Sequence, residues 1–203
     1  MADANTQSTK VRNQPNLGSW ISRGWDILTA DMGKFLLFGL IYIVVVAIAS
    51  STVIGEFLVM GPLQVGLFLV IFAKMRGEEV KVGDIAKGFN FFVAAVLSNI
   101  LISVFSAVGF LLCIIPGIIV TALYVFTPAF IAEKNLDFWE AMEASRNLTK
   151  DYVFEMVLFV VILGLINFIG VLLCGIGIIF TLPLTYAAIA VGYDELEGIN
   201  KEG

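Results

Sequence analysis

Apolar residues gather in six long runs, at roughly 35–54, 57–73, 91–111, 114–132, 154–173 and 175–191. About 20 apolar residues cross a bilayer as a helix, so each run predicts a span. The second and sixth runs are short, which predicts little tilt or a locally thinned bilayer. Within pairs the turns are tight: Ile54-Gly55-Glu56, Leu111-Leu112-Cys113 and Cys174-Gly175. The expected fold class is therefore all-α, a polytopic membrane protein of about six transmembrane helices in three hairpins.

A short amphipathic stretch precedes each hairpin. Ser19 to Met32 puts Ile21, Trp25, Leu28 and Met32 on one helical face; Val82, Ile85, Ala86 and Phe89 form the second stripe. The third is Phe138, Ala141, Met142, Ser145 and Leu148. Trp20, Trp25 and Trp139 all fall in these stretches, as expected of rings that prefer the membrane interface. The second span of each hairpin carries a proline, in Gly61-Pro62-Leu63, Ile115-Pro116-Gly117 and Leu182-Pro183-Leu184. The chain thus reads as three copies of one unit, interfacial helix plus hairpin, at 17–75, 80–133 and 135–193. Together these form a single membrane domain, 17–195, between a disordered cytoplasmic tail (1–16) and a short cytoplasmic tail (196–203).

Pro116 lies near a helix start, where proline costs little, whereas Pro62 and Pro183 predict kinks. Gly61 and Gly117 beside them favour close helix packing. Thr127-Pro128 predicts another interruption late in the fourth span, with Thr127 satisfying a freed backbone group.

Charge adds orientation. All 12 Lys and Arg residues fall on one side of the hairpins, while the other side carries a single acid, Glu56. The positive-inside rule makes the cation-bearing side cytoplasmic, with both termini there. Composition agrees: 59% of the 203 residues are hydrophobic and only 14% charged, against about 25% charged in ordinary soluble domains. No basic stripe is present, which argues against a nucleic-acid partner. No secretory signal pattern opens the sequence. The two cysteines, Cys113 and Cys174, sit in apolar runs, and with no histidine neither a disulfide framework nor a zinc site is indicated.

The segment Phe126 to Lys150, FTPAFIAEKNLDFWEAMEASRNLTK, carries a resemblance. Pro128, the Glu133-Lys134 junction, Phe138, Glu140-Ala141, Ser145-Arg146 and Lys150 match, as does the Ile114-Ile115-Pro116-Gly117 entry to the fourth span. The chain resembles, over most of residues 20–195, a broad family of poorly characterised prokaryotic multipass proteins. These are similar to the membrane domain attached to some glycerophosphodiester phosphodiesterases. The resemblance implies a six-helix membrane fold and no established activity. This sequence has no soluble catalytic domain, so hydrolysis is not carried over.

Candidate chemistry is sparse. The carboxylates Asp31, Glu133, Asp151 and Glu155 lie at the interface, where pairing with Lys134, Arg146 or Lys150 explains them as well as catalysis does. Within the spans the polar residues are chiefly Gln64, Ser98, Asn99, Ser103, Ser106, Asn167, Thr181 and Thr185. Asn99 and Asn167 suit interhelical hydrogen bonds or a polar pathway. The functional or interface candidates are thus Trp25, Pro62, Asn99, Pro116, Pro128, Glu133, Trp139, Glu140, Ser145, Arg146, Lys150, Glu155, Asn167 and Pro183. None is assigned to catalysis, a cofactor or a metal. The first functional reading is a non-catalytic membrane subunit or scaffold. Its partners are membrane lipids and another membrane protein or a second copy of itself. The alternative is a transporter of lipid or a small apolar solute, which requires a cavity among the hairpins. An enzyme using interfacial carboxylates comes third.

Overall fold

The computed structural model describes residues 15–173 and 177–199, and every regular element among them is helical. Lys10, Arg12, Cys174 and Lys201 lie outside the described residues. The helices are α1 (Leu17–Ala30), α2 (Met32–Ala49), α3 (Val53–Met75), a 3-10 segment (Val82–Phe91), α4 (Phe92–Leu112), α5 (Ile114–Leu123), α6 (Thr127–Lys134), α7 (Phe138–Thr149), a short 3-10 turn (Lys150–Tyr152), α8 (Val153–Leu172) and α9 (Ile178–Leu196). The chain is an all-α multipass membrane protein. Among the described residues, five helical runs are long and apolar enough to cross a bilayer: Met32–Ala49, Gly55–Met75, Val82–Leu112, Ile114–Lys134 and Phe138–Leu172.

The sixth predicted span forms α9, which is not among the five. Its 19 residues include Thr181, Pro183 and Thr185 and end in Asp194-Glu195. Its second half, Ala187–Tyr193, is buried in protein rather than lipid.

Burial divides the molecule into two layers. Val65, Leu67, Phe68, Ile71 and Phe72 of α3 are buried together with Phe126, Phe130 and Ile131 around α6 and with Tyr193 of α9. The Tyr193 ring lies 5.5 Å from Phe72 and 5.0 Å edge-on from Phe130. In contrast, α2, α4 and α8 expose Leu, Val, Ile and Phe along much of their length. The second helix of each hairpin therefore enters a packed core, while the first faces lipid.

The three short amphipathic elements wrap this core, and each packs on the final helix of a different hairpin. The 3-10 segment packs on α3, α7 on α6, and α1 on α9, so the arrangement closes on itself. Backbone-level approach makes these contacts. Gly88 of the 3-10 segment abuts the Pro62 carbonyl, and Gly66 abuts that of Ile85. A methyl group on Gly24 would lie 2.8 Å from the Ala188 nitrogen.

Two sequence-derived stripes shift as a result. In α1 the buried positions are Trp20, Gly24 and Leu28, at i, i+4 and i+8, while Trp25 and Met32 are exposed. Trp20 is fully buried edge-on to Phe159, at 5.1 Å, and over Gly192, so it is a core residue and not an interface ring. In the second stretch the helix is 3-10, whose period of three buries Ile85 and Gly88 and leaves Val82, Ala86 and Phe89 exposed. The α7 stripe keeps the expected period: Ala141, Met142, Ser145 and Leu148 are buried.

Prolines also divide by role. Pro116 is in the first turn of α5, and Gly117 sits against Gly109 where α4 and α5 meet. Pro62 and Pro183 lie inside α3 and α9, Pro183 packing on Gly39 of α2. The fourth run breaks at Tyr124–Phe126, but Thr127 does not serve the gap, since its buried hydroxyl has no hydrogen-bond partner among the described residues. Ser145 of α7 accepts from the Phe126 nitrogen at 3.2 Å and donates to the Leu123 carbonyl at 2.8 Å. Thr149 adds a second bond to that carbonyl at 3.0 Å.

Ion pairs stitch one end of the molecule. Arg23 meets Asp194 and Glu195, Lys74 meets Asp31 at 3.0 Å, Arg76 meets Glu133 at 3.0 Å, and Lys134 meets Glu197. Both predicted tails contribute here. Asn16 caps α1 by accepting from the Ser19 nitrogen at 3.1 Å. Past α9, Gly198 adopts φ +89°, which lets Ile199 tuck back into the core.

Candidate functional site

Between the aromatic core and the end that carries Glu56, the helices border a half-open cavity of about 400 Å³. The helices of the three hairpins neighbour one another in the order α2, α3, α4, α5, α8, α9 and back to α2. All six contribute to the wall, together with Pro128 of α6. Phe68 and Tyr186, stacked edge-on at 5.6 Å, belong to both the core and the lining.

The lining is apolar with uncharged polar groups set into it. The Tyr42 and Tyr186 hydroxyls lie 3.3 Å apart, and Gln64 shares the lining with them. Across the cavity the Asn167 amide nitrogen donates to the Thr185 hydroxyl at 2.7 Å and to the Leu163 carbonyl at 2.9 Å. Thr185 in turn donates to the Thr181 carbonyl at 2.9 Å. Ser98 and Thr121 spend their hydroxyl protons on carbonyls of their own helices, Ala95 and Gly117. Asn99 differs: its buried Oδ1 has no partner among the described residues.

Among the described residues, no Asp, Glu, Lys or Arg lines the cavity. Polarity without charge suits a neutral ligand, because an ion brought into such a site would lack compensation.

Of the residues singled out in the sequence, Asn99, Asn167 and Pro128 meet at this cavity, along with Gln64, Ser98 and Thr185. Gly61 lines it beside Pro62. The remaining candidates lie elsewhere. Glu133 is held by Arg76, with only 5% of its side chain exposed. Trp25, Trp139, Glu140 and Arg146 are exposed on the short helices, and Lys150 donates to Asn147 at 3.2 Å. Glu155 stands in the first turn of α8, where the helix dipole favours a carboxylate. Ser145 is buried and occupied with the α5/α6 break. Among the described residues, no cluster of three His, Cys, Asp or Glu side chains is arranged to hold a metal.

Sequence reasoning missed Tyr42, Thr121, Tyr124 and Tyr186. The signal was present: a tyrosine within a long apolar run needs a hydroxyl partner, and two in different hairpins invite pairing.

No protein family matches the chain, and neither does any curated protein or solved structure.

Proposed function

We propose that this protein binds a small uncharged amphiphile within the bilayer and moves it between the helices as a carrier. The cavity carries this reading: its volume falls within the range of small-molecule sites, about 300–1,000 Å³. The wall also includes one interrupted helix, at the α5/α6 break beside Pro128, while Gly61-Pro62 and the Leu182–Tyr186 stretch containing Pro183 border or line it from within continuous helices. Midplane sites in carriers commonly use such discontinuous helices.

In this reading the protein lies in the cell membrane with six spans, α9 being the short one. The ion-paired end is cytoplasmic and holds both termini, following the positive-inside rule. Three pseudo-repeats and the resemblance of Phe126–Lys150 to a six-helix family agree with that arrangement. A scaffold role, the first reading from sequence, does not need a cavity lined by hydrogen-bonding groups.

Mass spectrometry of compounds extracted from nanodisc-reconstituted protein tests the proposal. A neutral compound should be enriched over bulk lipid, and Ile102→Trp, which fills the cavity, should abolish the enrichment. Identical extracts from the two proteins would overturn it.

A further inference from the structure

We infer that the ligand reaches the cavity from the membrane boundary through a groove on α7, with the Tyr124 side chain as the gate between the two. The inference rests on the cavity being a ligand site and adds an entry subsite for the polar end of the amphiphile.

The groove, of about 100 Å³, is lined by Tyr124 together with Trp139, Met142, Glu143 and Arg146 of α7. Tyr124 also lines the cavity, so one side chain borders both spaces. Trp139, Glu143 and Arg146 recur at i, i+4 and i+7 and are all exposed, which places them along one flank of the helix. Exposed charges belong in water or among lipid headgroups, so Glu143 and Arg146 fix this flank at the membrane boundary. The exposed Trp139 ring suits the same depth. An uncharged amphiphile dissolved in the bilayer rests there with its polar end outward. The groove offers that end an indole N–H, a guanidinium and a carboxylate. The α4/α5 tip offers nothing comparable, with no polar side chain from Val108 to Val120.

Tyr124 is placed to move. It stands at the α5/α6 break, where its nitrogen donates to the Val120 carbonyl at 3.2 Å and its carbonyl accepts from the Thr127 nitrogen at 3.1 Å. Its side chain is held less firmly than its backbone. The hydroxyl has no hydrogen-bond partner among the described residues, unlike those of Tyr42 and Tyr186. The ring leans on that of Phe105, 6.3 Å away and itself exposed. A change of rotamer opens the wall between groove and cavity without breaking a hydrogen bond.

Kinetics separate a gate from a wall. Dansylamide is uncharged at neutral pH and takes up tryptophan emission by energy transfer. Its saturable binding to the full chain in liposomes is therefore read by stopped flow from Trp20, Trp25 and Trp139, the protein's three tryptophans. Glu143→Phe fills the groove from its exposed side and touches no part of the cavity wall. It should slow association and dissociation about tenfold each and leave the equilibrium constant unchanged. Glu140→Phe, also exposed on α7 but outside the groove, should match the parent. Tyr124→Ala should speed association.

Association as fast in Glu143→Phe as in the parent would overturn the groove as the entry and leave the cavity reading standing. Equal slowing by Glu140→Phe would also overturn it. A folded Tyr124→Ala that associates no faster would overturn the gate. Absence of saturable binding in the parent would remove the cavity reading and this inference together. The Glu143→Phe comparison decides the matter even where Tyr124→Ala does not fold.

Discussion

The Ser145 hydroxyl donates to the Leu123 carbonyl at 2.8 Å and bridges the break between α5 and α6. Because α7 follows that break in the chain and packs back on it, one small side chain ties the third short helix to the wall of the cavity. Thr149, one turn further along α7, shares the same carbonyl at 3.0 Å.

Removing this hydroxyl should be expensive for so small a change. Ser145→Ala leaves the Phe126 nitrogen unpaired in a buried site and halves the bonding of Leu123. The expected loss is about 1–3 kcal/mol, the usual penalty for an orphaned buried group. Adding Thr149→Val should deepen it, since no donor then reaches Leu123. Thermal unfolding in detergent, followed by circular dichroism, measures both. A Ser145→Ala protein as stable as the parent would show that the break does not depend on α7.

The Arg76–Glu133 pair invites a different test. Glu133 is 5% exposed and Arg76 21%, so removing the arginine takes an ion-pair partner from a largely buried carboxylate. Breaking fully buried pairs costs about 3–5 kcal/mol. Partial exposure of Arg76 reduces this, and Arg76→Leu should cost about 2–3 kcal/mol. Replacing both residues by leucine should recover much of that loss, because no carboxylate then lacks its arginine. A double variant no more stable than Arg76→Leu would show that the cost is packing and not charge.

Much of this architecture was legible in the chain. Apolar runs, tight turns and the one-sided cations define the hairpins and the order of elements. The exchange of short helices between hairpins was not, because Gly24–Ala188 and Gly88–Pro62 are contacts that no local periodicity encodes. The same holds for depth. Phe68, Phe72 and Phe126 read equally well as lipid-facing or core residues, and only the assembled fold places Phe72 and Phe126 against Tyr193 and Phe68 beside Phe72. At the cavity, Asn99 and Asn167 stood out as amides in apolar runs, whereas Tyr42 and Tyr186 were hidden by their own hydrophobic bulk.

Acid should loosen the ion-paired end in a way that singles out Asp31. The Lys74 ammonium hydrogen-bonded to it, with Lys34 nearby, holds its carboxyl below the ordinary value of 3.8. A carboxyl depressed in the folded state stabilises the fold above its unfolded value, and the benefit is lost as pH falls through the folded one. Melting temperature measured from pH 6 downward should therefore fall once pH drops below 3.8, by more in the parent than in Lys74→Met. Parallel curves for the two proteins would mean that Asp31 contributes nothing to the acid response.

The tip joining α4 and α5 offers the last test, of membrane depth. Leu111 and Leu112 are 88% and 76% exposed, Ile114 and Ile115 are exposed beside them, and Cys113 at the turn is an exposed thiol. No polar side chain occurs from Val108 to Val120. The α2/α3 tip is unlike it, with Ser50, Ser51, Thr52 and Glu56. So many bare apolar side chains belong in hydrocarbon, not water. In sealed vesicles of a Cys174→Ser chain, a membrane-impermeant maleimide should leave Cys113 unmodified, and labelling should appear only after the membrane is dissolved and the chain unfolded in sodium dodecyl sulfate. A cysteine at Ser51, in a chain with both native cysteines replaced by serine, should react with the impermeant reagent when that face is outward. Rapid impermeant labelling of Cys113 would place the α4/α5 tip in water and require a partner to cover its leucines and isoleucines.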